Sequence, residues 1–137
     1  MAIRVLVVND TQDLLDMFRL LLEDEGYEVC LSSFPLVKAS EVEPFHPDII
    51  ILDLIFGDEK TGWQMLQMLK MQPSTARIPV VVCTAAIDAT REMEGYLVAK
   101  NIQVVYKPFD IDELLRALTS ALHSRTVTDV KGDYPET

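Results

Sequence analysis

The sequence predicts an α/β domain: a doubly wound, five-stranded parallel sheet with helices on both faces. Two observations predict it. Five short apolar runs rich in β-branched residues alternate with longer amphipathic stretches, the pattern of successive βαβ units. In the run Ile49-Ile50-Ile51-Leu52 the apolar residues are consecutive rather than alternating, as a strand needs when both of its faces are buried.

The first strand runs from Ile3 to Val8 and stops at Asn9-Asp10-Thr11. From about Gln12 to Glu25, Leu14, Leu15, Met17, Phe18, Leu21 and Leu22 recur at spacings of three and four, the apolar face of a helix, and Gly26 supplies its stop. Tyr27 to Ser32 is the second strand. Pro35, Pro44 and Pro47 then leave room for only a short helix, Leu36 to Val42, with Pro35 in its first turn. The third strand, Ile49 to Asp53, lies between Pro47 and Gly57. Gly62 to Gln72 forms a helix ended by Pro73, with Trp63, Met65, Leu66, Met68 and Leu69 as packing side chains. Ile78 to Cys83 is the fourth strand, with Pro79 tolerable near its start and Thr84 at its stop. A helix from Asp88 to Lys100 follows. The fifth strand, Ile102 to Tyr106, stops at Lys107-Pro108, and Asp110 caps a last helix through His123. Arg125 to Thr137 is polar and aperiodic. Residues 1–123 thus read as one domain, and 124–137 as a frayed tail or the start of a linker.

The 137 residues suffice for one well-formed core without disulfides or a structural metal. No apolar run approaches the roughly 18 residues of a membrane span, and Met1-Ala2-Ile3-Arg4 leads straight into a strand rather than a signal peptide. The expected location is the cytoplasm. A formal net charge of -10 argues against direct binding to nucleic acid or to an anionic membrane. Cys30 and Cys83 both fall in expected strands, as buried thiols of a reducing compartment do.

In open parallel sheets ligands bind beyond the carboxyl ends of the strands. The residues that stop strands one, three, four and five are Asn9-Asp10, Asp53, Thr84 and Lys107. In the flavodoxin-like order 2-1-3-4-5 all four ends share one rim. Two carboxylates, a hydroxyl and an ammonium would converge there. Asp10 and Asp53 offer hard oxygen ligands suited to Mg²⁺, Thr84 and Lys107 a donor and a point charge for anionic oxygens, and Asp53 a nucleophile toward phosphorus. Each also has an ordinary structural use: Asp10 and Thr84 as helix caps, Asp53 within its own turn, Lys107 as a solvated surface lysine. Four such uses landing by accident on four strand ends of one fold is the less economical reading.

Over about Ile3 to His123 the chain resembles the receiver domains of two-component response regulators. The residues that carry the resemblance are Asp10 in Val8-Asn9-Asp10, Asp53 in Leu52-Asp53-Leu54, Thr84 in Cys83-Thr84-Ala85, and Lys107 in Lys107-Pro108-Phe109. The resemblance implies the 2-1-3-4-5 order and a cis peptide before Pro108. It implies Mg²⁺ held by Asp10, Asp53 and the carbonyl of Ile55, with Asn9 acting through water. It implies phosphoryl transfer to Asp53 from a histidine kinase or histidine phosphotransfer protein. Thr84 and Lys107 would sense the phosphoryl group, and the output surface would include Val104, Tyr106 and Tyr96, with room for a phospho-dependent dimer.

The chain departs from the family pattern at three places. Asn9 stands where a second acidic residue is usual, which weakens Mg²⁺ binding. Val104 takes the position of the usual aromatic switch residue, with Tyr106 displaced to its neighbour. The segment from Asp53 to Gly62 is one residue longer than usual, with Gly57 where proline is common. Ile55 and Ala86, both apolar, occupy positions that in the family tune access of water to the phosphoryl group, so slow self-dephosphorylation is expected. The leading reading is a stand-alone phosphoacceptor, or a receiver cut from a larger regulator. Its only chemistry would be Mg²⁺-dependent self-phosphorylation from phosphohistidine and slow self-dephosphorylation. The rival is a phosphorylation-independent interaction module. A metabolic enzyme is disfavoured, since Leu54-Ile55 replaces the DxD pair of aspartyl-phosphate phosphatases and no Gly-rich phosphate loop follows strand one.

Overall fold

Five strands of five residues each form one parallel sheet: β1 Arg4–Val8, β2 Glu28–Ser32, β3 Ile49–Asp53, β4 Val80–Thr84 and β5 Ile102–Tyr106. Their order is β2-β1-β3-β4-β5, the order expected. The helices are α1 Gln12–Asp24, α2 Ala39–Val42, α3 Glu59–Met71, α4 Ile87–Glu92, α5 Glu94–Ala99 and α6 Ile111–Asp133. This computed structural model describes residues 2–54 and 59–133, with side chains described for 2–54 and 61–124.

Strand side chains alternate between faces, and both faces are covered. Leu6, Val8, Ile50, Leu52, Val80 and Val82 pack with Met65, Leu66 and Leu69 of α3. Val5, Val7, Ile49, Ile51, Val81 and Cys83 pack with Leu15, Phe18 and Leu22 of α1 and with Leu114 and Leu118 of α6. Every residue of β3 and β4 is buried, which accounts for their unbroken apolar runs. Each Ile, Leu and Val among them contributes about 1.5–3 kcal/mol on leaving water, which makes these strands a firm platform for the residues at their ends.

The ends of α1 and α6 follow from local chemistry. Gly26, at φ +92°, lets its N–H reach the carbonyl of Glu23 and the next N–H, of Tyr27, reach that of Leu22, a paired closure of the helix C-terminus. At the start of α6, Asp110 Oδ1 accepts the Glu113 N–H at 2.8 Å while Glu113 accepts from the Asp110 N–H at 3.4 Å. The expected cap at Asp110 is present.

Four helices differ from the expectation. The helix expected from Gly62 begins three residues earlier, at Glu59. The short helix expected from Leu36 begins only at Ala39 and continues as a single 3₁₀ turn, Glu43–Phe45. The Glu41 carboxylate sets that start by accepting the N–H groups of Val37 and Lys38, each at 2.9 Å. The helix expected over Asp88 to Lys100 is two, broken at Met93, whose N–H closes a tight turn onto Thr90. The last helix does not stop at His123: its backbone is helical to Asp133, through most of the segment expected to fray.

Candidate functional site

Register brings the strand ends level. Val8 lies beside Leu52, Asp53 beside Cys83, and Cys83 beside Val105. Thr84 lies beside Tyr106, and its carbonyl accepts the Lys107 N–H at 2.8 Å. Asn9, Asp53, Thr84 and Lys107 therefore stand along one rim of the sheet. Asn9, Asp53, Cys83 and Lys107 also continue the strand positions that face α1 and α6, so their side chains share one side of it.

Asp53 closes β3 with only 6% of its surface exposed. A buried carboxylate needs compensation. Lys107 Nζ donates to its Oδ2 at 3.1 Å and Asn9 Nδ2 donates to the same oxygen at 3.2 Å. The peptide joining Lys107 to Pro108 is cis, as the resemblance implies. Beneath this cluster, burial pushes the Cys83 thiol up to about 12, with the Asp53 charge adding to the shift and the Lys107 charge opposing it. Cys83 is an inert core thiol.

Asp10 is exposed, and its Oδ1 accepts the Thr11 hydroxyl at 3.4 Å. The residue capping α1 is Thr11, which makes no side-chain capping bond. The turn there is instead held by Asn9, whose Oδ1 accepts the Thr11 N–H at 2.8 Å. Thr84 is fully buried, and its Oγ1 accepts the Ala86 N–H at 3.0 Å at the start of α4. That bond closes a turn before the helix and does not cap it, since the N-cap of α4 is Ala86 and no side chain caps it, and the Thr84 hydroxyl proton stays available to donate. Ala86 is half-buried and accepts the Thr90 hydroxyl at 2.6 Å.

Ile55 and Gly57 lie outside the described residues. The expected output residues Val104, Tyr106 and Tyr96 are half-buried on β5 and α5. Val104 and Tyr106 line a cavity of about 390 Å³ beside Leu97 and Val98. Tyr96 and Val104 pack on the α3 side of the core, away from Asp53.

Among the described residues no group of three or more His, Cys, Asp and Glu side chains could hold a metal ion. Asp10 follows the end of β1 and Asp53 closes β3, the strand beside it, while the Asn9 oxygen is already engaged by Thr11. Two carboxylates fit Mg²⁺, which keeps several waters and takes phosphate oxygens besides one or two protein carboxylates. They do not form an all-protein cage. Two features of the rim escaped the sequence reading: the Asn9 donor to Asp53, and Gly62, where an added Cβ would run into the Leu54 backbone.

The chain matches the response regulator receiver domain over residues 5–119. It is 30% identical over 123 residues to the DNA-binding dual master transcriptional regulator RpaA of Synechocystis sp., covering 90% of this chain and 50% of that protein. The chemotaxis response regulator CheY4 of Vibrio cholerae superposes with a TM-score of 0.74 at 25% identity, over 88% of this chain and 99% of that one. NtrX from Brucella abortus superposes with a TM-score of 0.78 at 24% identity, over all of this chain and 31% of that one. The chain spans half the length of RpaA, and less than a third of NtrX.

Proposed function

The chain belongs to the response regulator receiver domain family, and from that premise we propose that Asp53 is its phosphoryl acceptor. The donor is a phosphohistidine of a histidine kinase or phosphotransfer protein. A carboxylate oxygen of Asp53 forms the new bond to phosphorus as the bond from phosphorus to the imidazole nitrogen breaks, and the electron pair leaves with that nitrogen. Asp53 becomes an acyl phosphate, and the donor imidazole takes up a proton from water.

The observation that supports this most is the convergence of Lys107 and Asn9 on one oxygen of Asp53 at the end of a fully buried strand. Those donors fix the carboxylate before the donor protein arrives, which lowers the cost of orienting it for attack. Lys107 carries the positive charge that the incoming phosphoryl oxygens need on its side of the site. The Thr84 hydroxyl can turn its proton to the new phosphoryl oxygens, which couples phosphorylation to the loop leading into α4. Mg²⁺ held by Asp10, Asp53 and the carbonyl of Ile55 would supply further positive charge to the transferring group. The charge so placed resets the surface of α4, α5 and β5, where Tyr96, Val104 and Tyr106 lie. The comparisons lend no support to the phosphorylation-independent module.

The test is intact-mass measurement after incubation with acetyl phosphate and Mg²⁺. The wild type gains one phosphoryl group and Asp53→Asn gains none. A wild type that stays unlabelled, under conditions that label another receiver, overturns the proposal.

A further inference from the structure

Asn9 is 2% exposed, and its polar groups are spoken for on three sides. Its N–H donates to the Ser32 carbonyl at 3.1 Å, Oδ1 accepts the Thr11 N–H at 2.8 Å, and Nδ2 donates to Asp53 Oδ2 at 3.2 Å. A backbone N–H can only donate, so the oxygen of the amide must face Thr11 and its NH₂ must face Asp53. The orientation of the side chain is thereby determined by the turn that follows β1.

We propose that Asn9 is a positioning residue that, with Lys107 on the same oxygen, holds the Asp53 carboxylate in place without a bound metal ion. An aspartate at position 9 would have the same reach and no proton to offer. Its oxygen would face Asp53 Oδ2 across a gap that a hydrogen bond now spans, and two like charges so close repel, a repulsion that the Lys107 ammonium at 3.1 Å from that oxygen offsets only in part and a metal ion between them would offset further. With asparagine the same gap is bridged by the protein itself. The Asn9 amide thus ties the end of β1 to the end of β3 with no metal ion between them. That the carboxylate so held accepts phosphate rests on the preceding reading. The coupling of Asn9 to Asp53 does not, and its test involves no phosphorylation.

Thermal unfolding of four proteins at neutral pH carries the test: wild type, Asn9→Asp, Asp53→Asn, and the double variant, each in EDTA and again in excess Mg²⁺. In EDTA, Asn9→Asp melts at least about 4 °C below wild type. Mg²⁺ raises its melting temperature more than that of wild type, because cation binding to the folded state alone stabilises it. In the Asp53→Asn background the loss on Asn9→Asp shrinks, since the new amide can donate to the new carboxylate. An Asn9→Asp protein that melts with wild type in EDTA, or loses as much with asparagine at position 53, overturns the proposal. If Asn9→Asp does not fold in either condition, the ¹⁵N-labelled wild type decides: the Asn9 side-chain amide protons exchange slowly and shift in Asp53→Asn. A fast-exchanging, unshifted pair would sink the idea.

Discussion

Lys107 sets its ammonium nitrogen 3.1 Å from Oδ2 of Asp53, a residue 54 positions earlier in the chain. The two side chains differ in exposure, 27% for the lysine and 8% for the aspartate. The lysine reaches water at one end and supports a nearly dry carboxylate at the other. Its removal leaves Asp53 with the Asn9 amide but without the opposing charge. Lys107→Ala should therefore destabilise the domain by about 1–2 kcal/mol, the low end for a hydrogen bond to a charged group because the lysine is partly solvated. Most of that loss should vanish when Asp53→Asn is combined with it, since no charge then remains to compensate. Urea unfolding midpoints of the two single variants and the double variant measure this directly, and the rate of labelling by acetyl phosphate should fall with Lys107→Ala alone.

Gly62 lies in α3 close against β3. A methyl group there would run into the carbonyl, the carbonyl carbon and the Cα of Leu54, the residue after Asp53. Backbone atoms cannot swing aside as a flexible side chain can, so either α3 or the end of β3 must shift. Gly62→Ala should lower stability by about 1–3 kcal/mol, the usual cost of overfilling a packed interior, despite the better helix propensity of alanine. Because the displaced residue adjoins Asp53, the proposed phosphoryl acceptor, labelling there should slow as well. A Gly62→Ala protein with wild-type midpoint and labelling rate would contradict the close approach.

Water reaches an acyl phosphate most readily when a polar side chain beside it can orient the attack. Ala86 offers none, being a half-buried methyl at the N-cap of α4, and the sequence supplies isoleucine at position 55. The phosphorylated protein should accordingly persist well beyond seconds in Mg²⁺ after excess acetyl phosphate is removed. Intact mass followed over time gives the decay, and Ala86→Glu should hasten it. Loss of the group within seconds in the wild type would end this reading of position 86.

Strand parity explains how much of the site could be read from the chain. Val5, Val7 and Asn9 share one face of the sheet, as do Ile49, Ile51 and Asp53, and Val105 and Lys107. The rim composed of Asp53, Thr84 and Lys107 was legible because each of those residues ends an apolar run. The same parity would have placed Asn9 beside Asp53, but a polar residue next to Asp10 reads first as part of a turn, which it also is. The break at Met93 was not legible, since the apolar spacing from Ile87 to Ala99 continues through it and the turn is set by backbone bonds to Thr90. Gly62 was visible only as a helix-start residue. Its closeness to Leu54 depends on how far α3 leans onto β3, which no local pattern encodes.

Lys70 closes α3 by donating from Nζ to the carbonyl of Ile78 at 2.8 Å and to that of Ala76 at 3.3 Å, tying the helix to the loop that enters β4. Burial, with a smaller push from the Lys100 charge, lowers its ammonium to about 8 from the usual 10.5. In the unfolded chain the lysine keeps its proton up to the higher value, so between about pH 8 and 10.5 the unfolded state binds more protons than the folded one. Stability contributed at this position therefore rises with pH across that window, and below it the folded state bears the full cost of a half-buried charge. Lys70→Met removes the titration and the two hydrogen bonds together. The difference in unfolding free energy, wild type minus Lys70→Met, should then grow in favour of wild type as pH goes from about 8 to 10, and stay flat between about 6 and 7. A flat difference over the upper range would mean that the ammonium is well solvated, and a falling one that the two carbonyls hold it more strongly than burial opposes it.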